Sequence, residues 1–322
     1  MILLKTVEIN SAVFFYSMLS KFKYQILLHL IIIMWGFTGI LGKLIHLEAF
    51  IIVWYRVFIA FIALGIGMFI LRKPFKVRSR KQLLKIAFVG ILVGLHWITF
   101  YMSIQLSTAS LGILCLSTTT VHVAWLEPII MKRRISWLEI ILSLIVVYGI
   151  YFVSGDFNAN ETKALVYGLI SAFFAAAFAV SNTKLAEDST PAQISLYEMV
   201  SAFIFITIVL LFQGRIDLTI LKMSQSDFLW LLFLGILCTS FAFLAIIEIM
   251  KKLGAFTVSL SINLEPVYTI LLAIFILKEN ELLGTNFYVG SIIIIAVVVA
   301  NAVIKSIEKR RLKKAGNQVI TS

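Results

Sequence analysis

The sequence predicts an all-α integral membrane protein of ten transmembrane helices, arranged as two inverted five-helix repeats. Three observations carry that expectation. Ten apolar segments fill the chain almost end to end, each near the roughly 20 residues that a helix needs to cross a bilayer core. Lys and Arg gather on alternate loops, 22 on one side against five on the other. Short echoes recur between the halves at offsets of 142, 141 and 146 residues. With five spans per half, a second copy has to lie upside down in the membrane.

Composition excludes the simpler alternatives. The chain is 61% hydrophobic and 14% charged, whereas a soluble domain is about half apolar and a quarter charged. Lipid admits only helices and closed barrels as spanning forms. Barrel strands run about ten residues with alternating polarity; these segments are twice as long and apolar on both parities, so they are helices.

The elements follow in order. Residues 1–23 form an N-terminal tail. Its Ser11–Leu19 run is too short to span, and no small-residue cleavage site precedes Lys21 and Lys23, so it is no signal peptide. Met18 is the expected start. The first repeat, residues 24–153, holds spans Tyr24–His46, Ala49–Leu71, Leu83–Ser103, Ala109–Met131 and Trp137–Val153. Gly36, Gly39 and Gly42 recur along the first span, as small residues do where helices approach closely or slide. Residues 154–163 are an outer connecting loop, with turn chemistry from Gly155, Asp156 and Asn158. The second repeat, residues 164–306, holds spans Ala164–Leu185, Ile194–Phe212, Phe228–Met250, Phe256–Leu277 and Phe287–Ile304. Residues 307–322 are a basic tail.

The charges set orientation. A net charge of +12 invites a nucleic-acid partner, but the cations lie in the loops of one face. That is the positive-inside pattern, with both termini cytoplasmic and the basic loops against anionic headgroups. Short loops suit a bacterial inner membrane. Cys115 and Cys238 lie within spans with no metal-ligand neighbours, so no metal and no cofactor is expected.

The echoes pair Trp54-Tyr55-Arg56 with Leu196-Tyr197-Glu198, Gly42-Lys43-Leu44 with Thr183-Lys184-Leu185, and Thr108-Ala109 with Gly254-Ala255. In the last register Thr120 falls opposite Pro266, and Ser117 opposite Asn263.

Polar groups at bilayer depth need a partner or a watery cavity. Arg56 lies about 10 Å inside its span at 1.5 Å per residue. It either anchors an anionic substrate group or ties neighbouring helices together. Glu198 is a gating or proton-coupling candidate, with helix capping as the plainer reading. Asn263-Leu264-Glu265-Pro266 is the most specific local feature: proline frees the carbonyl of Ile262, about 14 Å deep near Glu265. Of the hydroxyls in Ser117-Thr118-Thr119-Thr120, at most two face one cavity and the others bond back to their own helix. His96 and His122 are a possible relay or simply hydrogen-bonded imidazoles. The substrate-binding candidates are Trp35, Arg56, His96, Tyr101, Ser117, Thr120, Asn182, Asn263, Glu265 and Tyr268. Glu198, Glu265 and His122 are the gating or proton-coupling candidates. Trp54, Trp97 and Trp125 line a cavity or anchor at the interface.

Trp35-Gly36, Arg56 in Trp-Tyr-Arg-Val-Phe-Ile-Ala, and the Asn-Leu-Glu-Pro-Val run ending in Lys278-Glu279 resemble the EamA branch of the drug/metabolite transporter superfamily. The resemblance covers about residues 24–306 as two family repeats. It implies ten helices in a five-plus-five inverted repeat, a central cavity, alternating access, and small organic metabolites or drugs as substrates. Two departures stand out: Arg133 where a carboxylate like Glu279 is usual, and Thr120 opposite Pro266.

The expected function is therefore secondary transport of a small organic solute, with possible proton or ion coupling. There is no Gly-x-x-x-x-Gly-Lys-Ser/Thr run for ATP. A membrane-embedded lipid-processing enzyme or flippase is the alternative. It would gather carboxylates at one face, but Glu127, Glu198 and Glu248 are scattered singly. A sensor or scaffold would carry a soluble domain.

Overall fold

A computed structural model describes residues 2–132, 134–155, 157–216, 220, 222–253, 258 and 261–320, the side chains of 2–21, 247, 251, 302, 305–306 and 308–320 excepted. Arg133, Asp156, Gly254-Ala255 and the start of the ninth expected span at Phe256 lie outside the described residues. Every regular element among the described residues is helical.

Seven helices are long and apolar enough to cross a membrane: 22–44, 49–70, 80–106, 109–131, 159–185, 191–212 and 225–250. Three further apolar helices, Trp137–Val153, Glu265–Leu277 and Thr285–Asn301, are shorter. They fall where the fifth, ninth and tenth spans are expected. Individual elements are α1 (Ile2–Leu44), α2 (Ala49–Ile70), α3 (Arg80–Leu106), α4 (Ala109–Ser117), α5 (Thr119–Met131), α6 (Trp137–Val153), α7 (Ala159–Leu185) and α8 (Pro191–Phe212). They continue with α9 (Gln225–Leu232), a π-helical segment (Phe233–Phe241), α10 (Ala242–Leu253), α11 (Glu265–Leu277) and α12 (Thr285–Ile320). Helix α1 is continuous from Ile2, through the residues read as a tail, into the first span.

Caps start these helices where the sequence supplies them. Asn158 and Glu161 form a capping box on α7, and Thr190 and Gln193 form one on α8, with Pro191 in the first turn. The expected loop 154–163 is thus largely the N-cap and first turn of α7. On the other side, the cationic loop between α2 and α3 is tied to the α7–α8 turn. Gln193 donates to the Lys76 carbonyl at 2.7 Å, Tyr197 to the Phe75 carbonyl at 3.0 Å, and Arg78 pairs with Asp188.

The repeat is visible in backbone geometry. Helix α5 ends at Lys132 with φ 53° and ψ 38°, and α11 ends 146 residues later at Lys278 with φ 54° and ψ 36°. The break between α4 and α5 is at Thr118, and α11 begins after Leu264, again 146 residues apart. Different chemistry makes the two breaks. In the second repeat, Pro266 has no N–H to give. In the first, hydroxyls occupy carbonyls: Ser117 bonds Ile113 at 3.0 Å, Thr118 bonds Cys115 at 2.6 Å and Thr119 bonds Leu116 at 2.6 Å. Such back-bonding competes with the helix ladder.

Across the halves, α2 packs on α8, α3 on α7 and α8, and α6 on α12. The glycine stripe of α1 is a packing surface. A Cβ at Gly36 would stand 2.8 Å from Thr269 Oγ1, and one at Gly42 would stand 2.9 Å from Tyr101 Cδ1.

One carboxylate fastens the second repeat to the first. Glu279, 2% exposed, accepts from Ala109 N at 2.7 Å, Ser110 N at 2.9 Å and Ser110 Oγ at 2.6 Å. It thereby satisfies the open N-terminus of α4, where negative charge is favoured. Glu279→Ala leaves these donors buried and bare, and should cost about 2–3 kcal/mol. Glu279→Gln, which keeps an acceptor oxygen, should cost less. Unfolding of the purified protein in denaturing detergent measures both.

Candidate functional site

The most demanding group in the bundle is Arg56. It is 4% exposed and lies about two turns into α2, among apolar neighbours. Its Nε donates to Thr239 Oγ1 at 3.1 Å, and a terminal nitrogen lies 3.4 Å from the Tyr101 hydroxyl. The guanidinium carbon sits 3.7 Å from the centre of the Trp97 ring, a stacked cation–π arrangement. Arg56 therefore gathers α2, α3 and the π-helical segment around one charge.

The π geometry serves this contact. Thr239 Oγ1 bonds the Leu234 carbonyl, and Ser240 Oγ bonds the carbonyls of Gly235 and of Ala60 on α2. Wide helical turns of this kind place side chains at positions an α-helix does not offer.

Below Trp97, a cavity of about 220 Å³ opens among α3, α7, α8 and α10. Its deep end is Val93 and Trp97, and its mouth is formed by exposed Ala186 and Pro191. Five residues of α8, Pro191, Ile194, Ser195, Glu198 and Met199, line its wall, a depth of about 12 Å along the helix. Phe178 and Phe243 supply further aromatic surface. Two polar groups stand out in this wall. Glu198, 5% exposed, and Asn182 both line the cavity. Glu198 Oε1 and Asn182 Oδ1 are both buried without a partner. Above Trp97, tightly buried side chains including Tyr101, Ile104, Ile40 and Leu41 close the opposite end.

The structure thus brings Asn182 and Glu198 together in one cavity, and sets Arg56 and Tyr101 directly behind the Trp97 wall. The other predicted residues are placed elsewhere. Trp35 donates from Nε1 to the Cys238 carbonyl at 3.1 Å and its ring meets Phe243. His96 is buried against Ser171, with Nδ1 2.8 Å from the Ser171 hydroxyl. His122 packs its ring on Trp125 and Phe173. Tyr268 hydroxyl and His29 Nδ1 are 2.9 Å apart, joining α11 to α1. Ser117 is spent on its own helix. Asn263 lies in the turn before α11, and Glu265 is that helix's first residue. Trp54 bonds Thr207 at 2.8 Å and stacks on Phe58, sealing α2 against α8.

Thr120 lines a second, smaller cavity of about 100 Å³ with Glu139, Ser143 and Asn301. Sequence reading missed that cavity and missed Thr239. The one available signal for Thr239 was the hydroxyl pair Thr239-Ser240 in an otherwise apolar span.

Comparison with known proteins adds a frame. A sequence profile described as the EamA-like transporter family matches residues 22–155 and again residues 162–302. No curated protein matches. A solved structure described as "Crystal structure of protein" is similar, with a TM-score of 0.60 and 15% identity, over 90% of this chain and 98% of that one. At that identity the similarity speaks to the fold.

The fork of Arg56 is matched to its partners, and a lysine is not equivalent there. Arg56→Lys should lose the stacking and one hydrogen bond, at a cost of about 1–3 kcal/mol. Arg56→Ala should cost more, since Tyr101, Thr239 and Trp97 then lose their shared partner. Thermal melting of the detergent-purified variants reads both.

Proposed function

The chain belongs to the EamA-like transporter family, and from that premise we propose that it is a secondary active transporter of small organic metabolites such as amino acids or drugs, working by alternating access. The observation that carries this reading is the one-ended cavity: open at the α7–α8 turn, closed beyond Trp97 by Arg56, Tyr101 and the packed side chains above them. A passage open at one end and sealed at the other is what alternating access requires of each of its states.

The broken helices at Thr118 and Leu264 support the same reading. They place irregular backbone inside the bundle at equivalent places in the two repeats. Irregular backbone at such depth belongs around a solute path. In the proposed architecture ten helices form two inverted sets of five, residues 24–153 and 164–306. The Lys- and Arg-rich loops face the cytoplasm of a bacterial inner membrane with both termini. The cavity mouth then faces inward, so this conformation is the inward-open one.

Arg56 acts as the pivot at the closed end, and Glu198 and Asn182 contact the solute. Trp35, Tyr101, Tyr268 and Glu265 shape the second state, when α1 and α11 move. Glu198, Glu265 and His122 remain the carriers for any coupled proton.

Reconstitution in proteoliposomes tests the proposal. Radiolabelled amino acids and other small metabolites should show saturable flux above empty vesicles, and counterflow against unlabelled solute. Ser195→Trp, which fills the cavity, should suppress that flux while leaving the melting temperature near the parent's. Absence of flux for every solute class, or full flux in Ser195→Trp, overturns the proposal.

A further inference from the structure

The cavity wall carries an unbalanced set of polar groups. Glu198 and Asn182 both line the cavity. Glu198 Oε1 and Asn182 Oδ1 are acceptors, both buried and both without a partner among the described residues. A buried acceptor left bare forfeits its hydration with nothing in return. Two in one wall, one of them on an acid, ask for a ligand that brings donors and positive charge.

The rest of the lining narrows the chemistry. None of its described residues is basic, and beyond Ser195 the remainder is apolar. A carboxylate or phosphate would meet Glu198 with no cation to hold it, because Arg56 is turned away toward Thr239 and Tyr101 and covered by Trp97. A sugar would find too few polar partners. An ammonium group has three donors and no acceptor, and aromatic faces attract it. Trp97, Phe178 and Phe243 provide such faces. At the mouth turn Glu187 adjoins Ala186, while Asp188 is paired with Arg78 and Lys184 lies two residues before Ala186. The volume of about 220 Å³ lies under the roughly 300 Å³ at which drug-sized pockets begin.

We infer that the solute is a small organic amine, held as its ammonium ion by Glu198 and Asn182, with its apolar body against Trp97, Phe178 and Phe243. This inference rests on the transport reading above and names the solute class for that same cavity.

Three phenyl-bearing probes of different charge decide it: 2-phenylethylamine, 2-phenylethanol and phenylacetate, titrated into the full chain in detergent by calorimetry. The amine should bind at least about tenfold tighter than the other two, as expected of a charge-assisted hydrogen bond. Glu198→Gln should erase that preference. Asn182→Ala, which leaves the acid in place, should weaken the amine and not the alcohol. Equal binding of the three probes, unchanged amine binding in both variants, or no amine binding at all overturns the inference. Proteoliposome flux separates the two readings: flux of other metabolites without recognition of the amine removes the solute class and leaves transport standing, whereas no flux of any solute removes transport itself.

Discussion

Burial of the Arg56 guanidinium sets terms that three elements of the bundle have to meet. A full positive charge at bilayer depth costs several kcal/mol unless hydrogen bonds and polarisable surface replace water. Thr239 and Tyr101 supply the former and Trp97 the latter. Trp97 and Tyr101 come from α3 and Thr239 from the Phe233–Phe241 segment, so satisfying the charge fixes how α2, α3 and that segment sit together. Trp97 then has two duties: one face of its environment is the arginine, and another is the cavity. The seal and the site thus share a side chain, which is how a solute in the cavity would be felt at the closed end.

The two repeats solve one problem with unlike materials. Both need the helix interrupted at the same register, and both end the following helix on a lysine in the left-handed region. One uses proline; the other uses consecutive hydroxyls that take over the carbonyls. The hydroxyls also keep those carbonyls satisfied within the protein, as lipid requires of backbone polar groups. Glu279 follows the same rule at a helix start, and places the acceptor on the opposite repeat.

These cases show what the sequence makes legible. Apolar length exposed the spans and loop charge suggested a consistent orientation, since both are local sums. Pro266 marked one break plainly. The matching break at Thr118 was hidden, because a Ser/Thr run is compatible with a continuous helix until its bonds are seen. Arg56 stood out as a charge within a span, but its partner Thr239 lies 183 residues away, and nothing in helical periodicity says which faces meet. The donors that Glu279 satisfies are 169 and 170 residues away. Asn182 and Glu198 were each singled out; that they face one cavity follows from the tight turn joining α7 and α8.

The π-helical segment leaves the cavity wall sensitive to chain length. Beyond it, α10 presents Phe243, Ile246 and Met250 to the cavity at a rotation set by how many residues the wide turns hold. Each residue of an ordinary α-helix turns the chain by about 100°. Deleting a single residue between Phe233 and Phe241, with every remaining side chain unchanged, would swing all three off the wall together. The inner surface is thus held in phase by a count of residues, a kind of information that no single side chain carries.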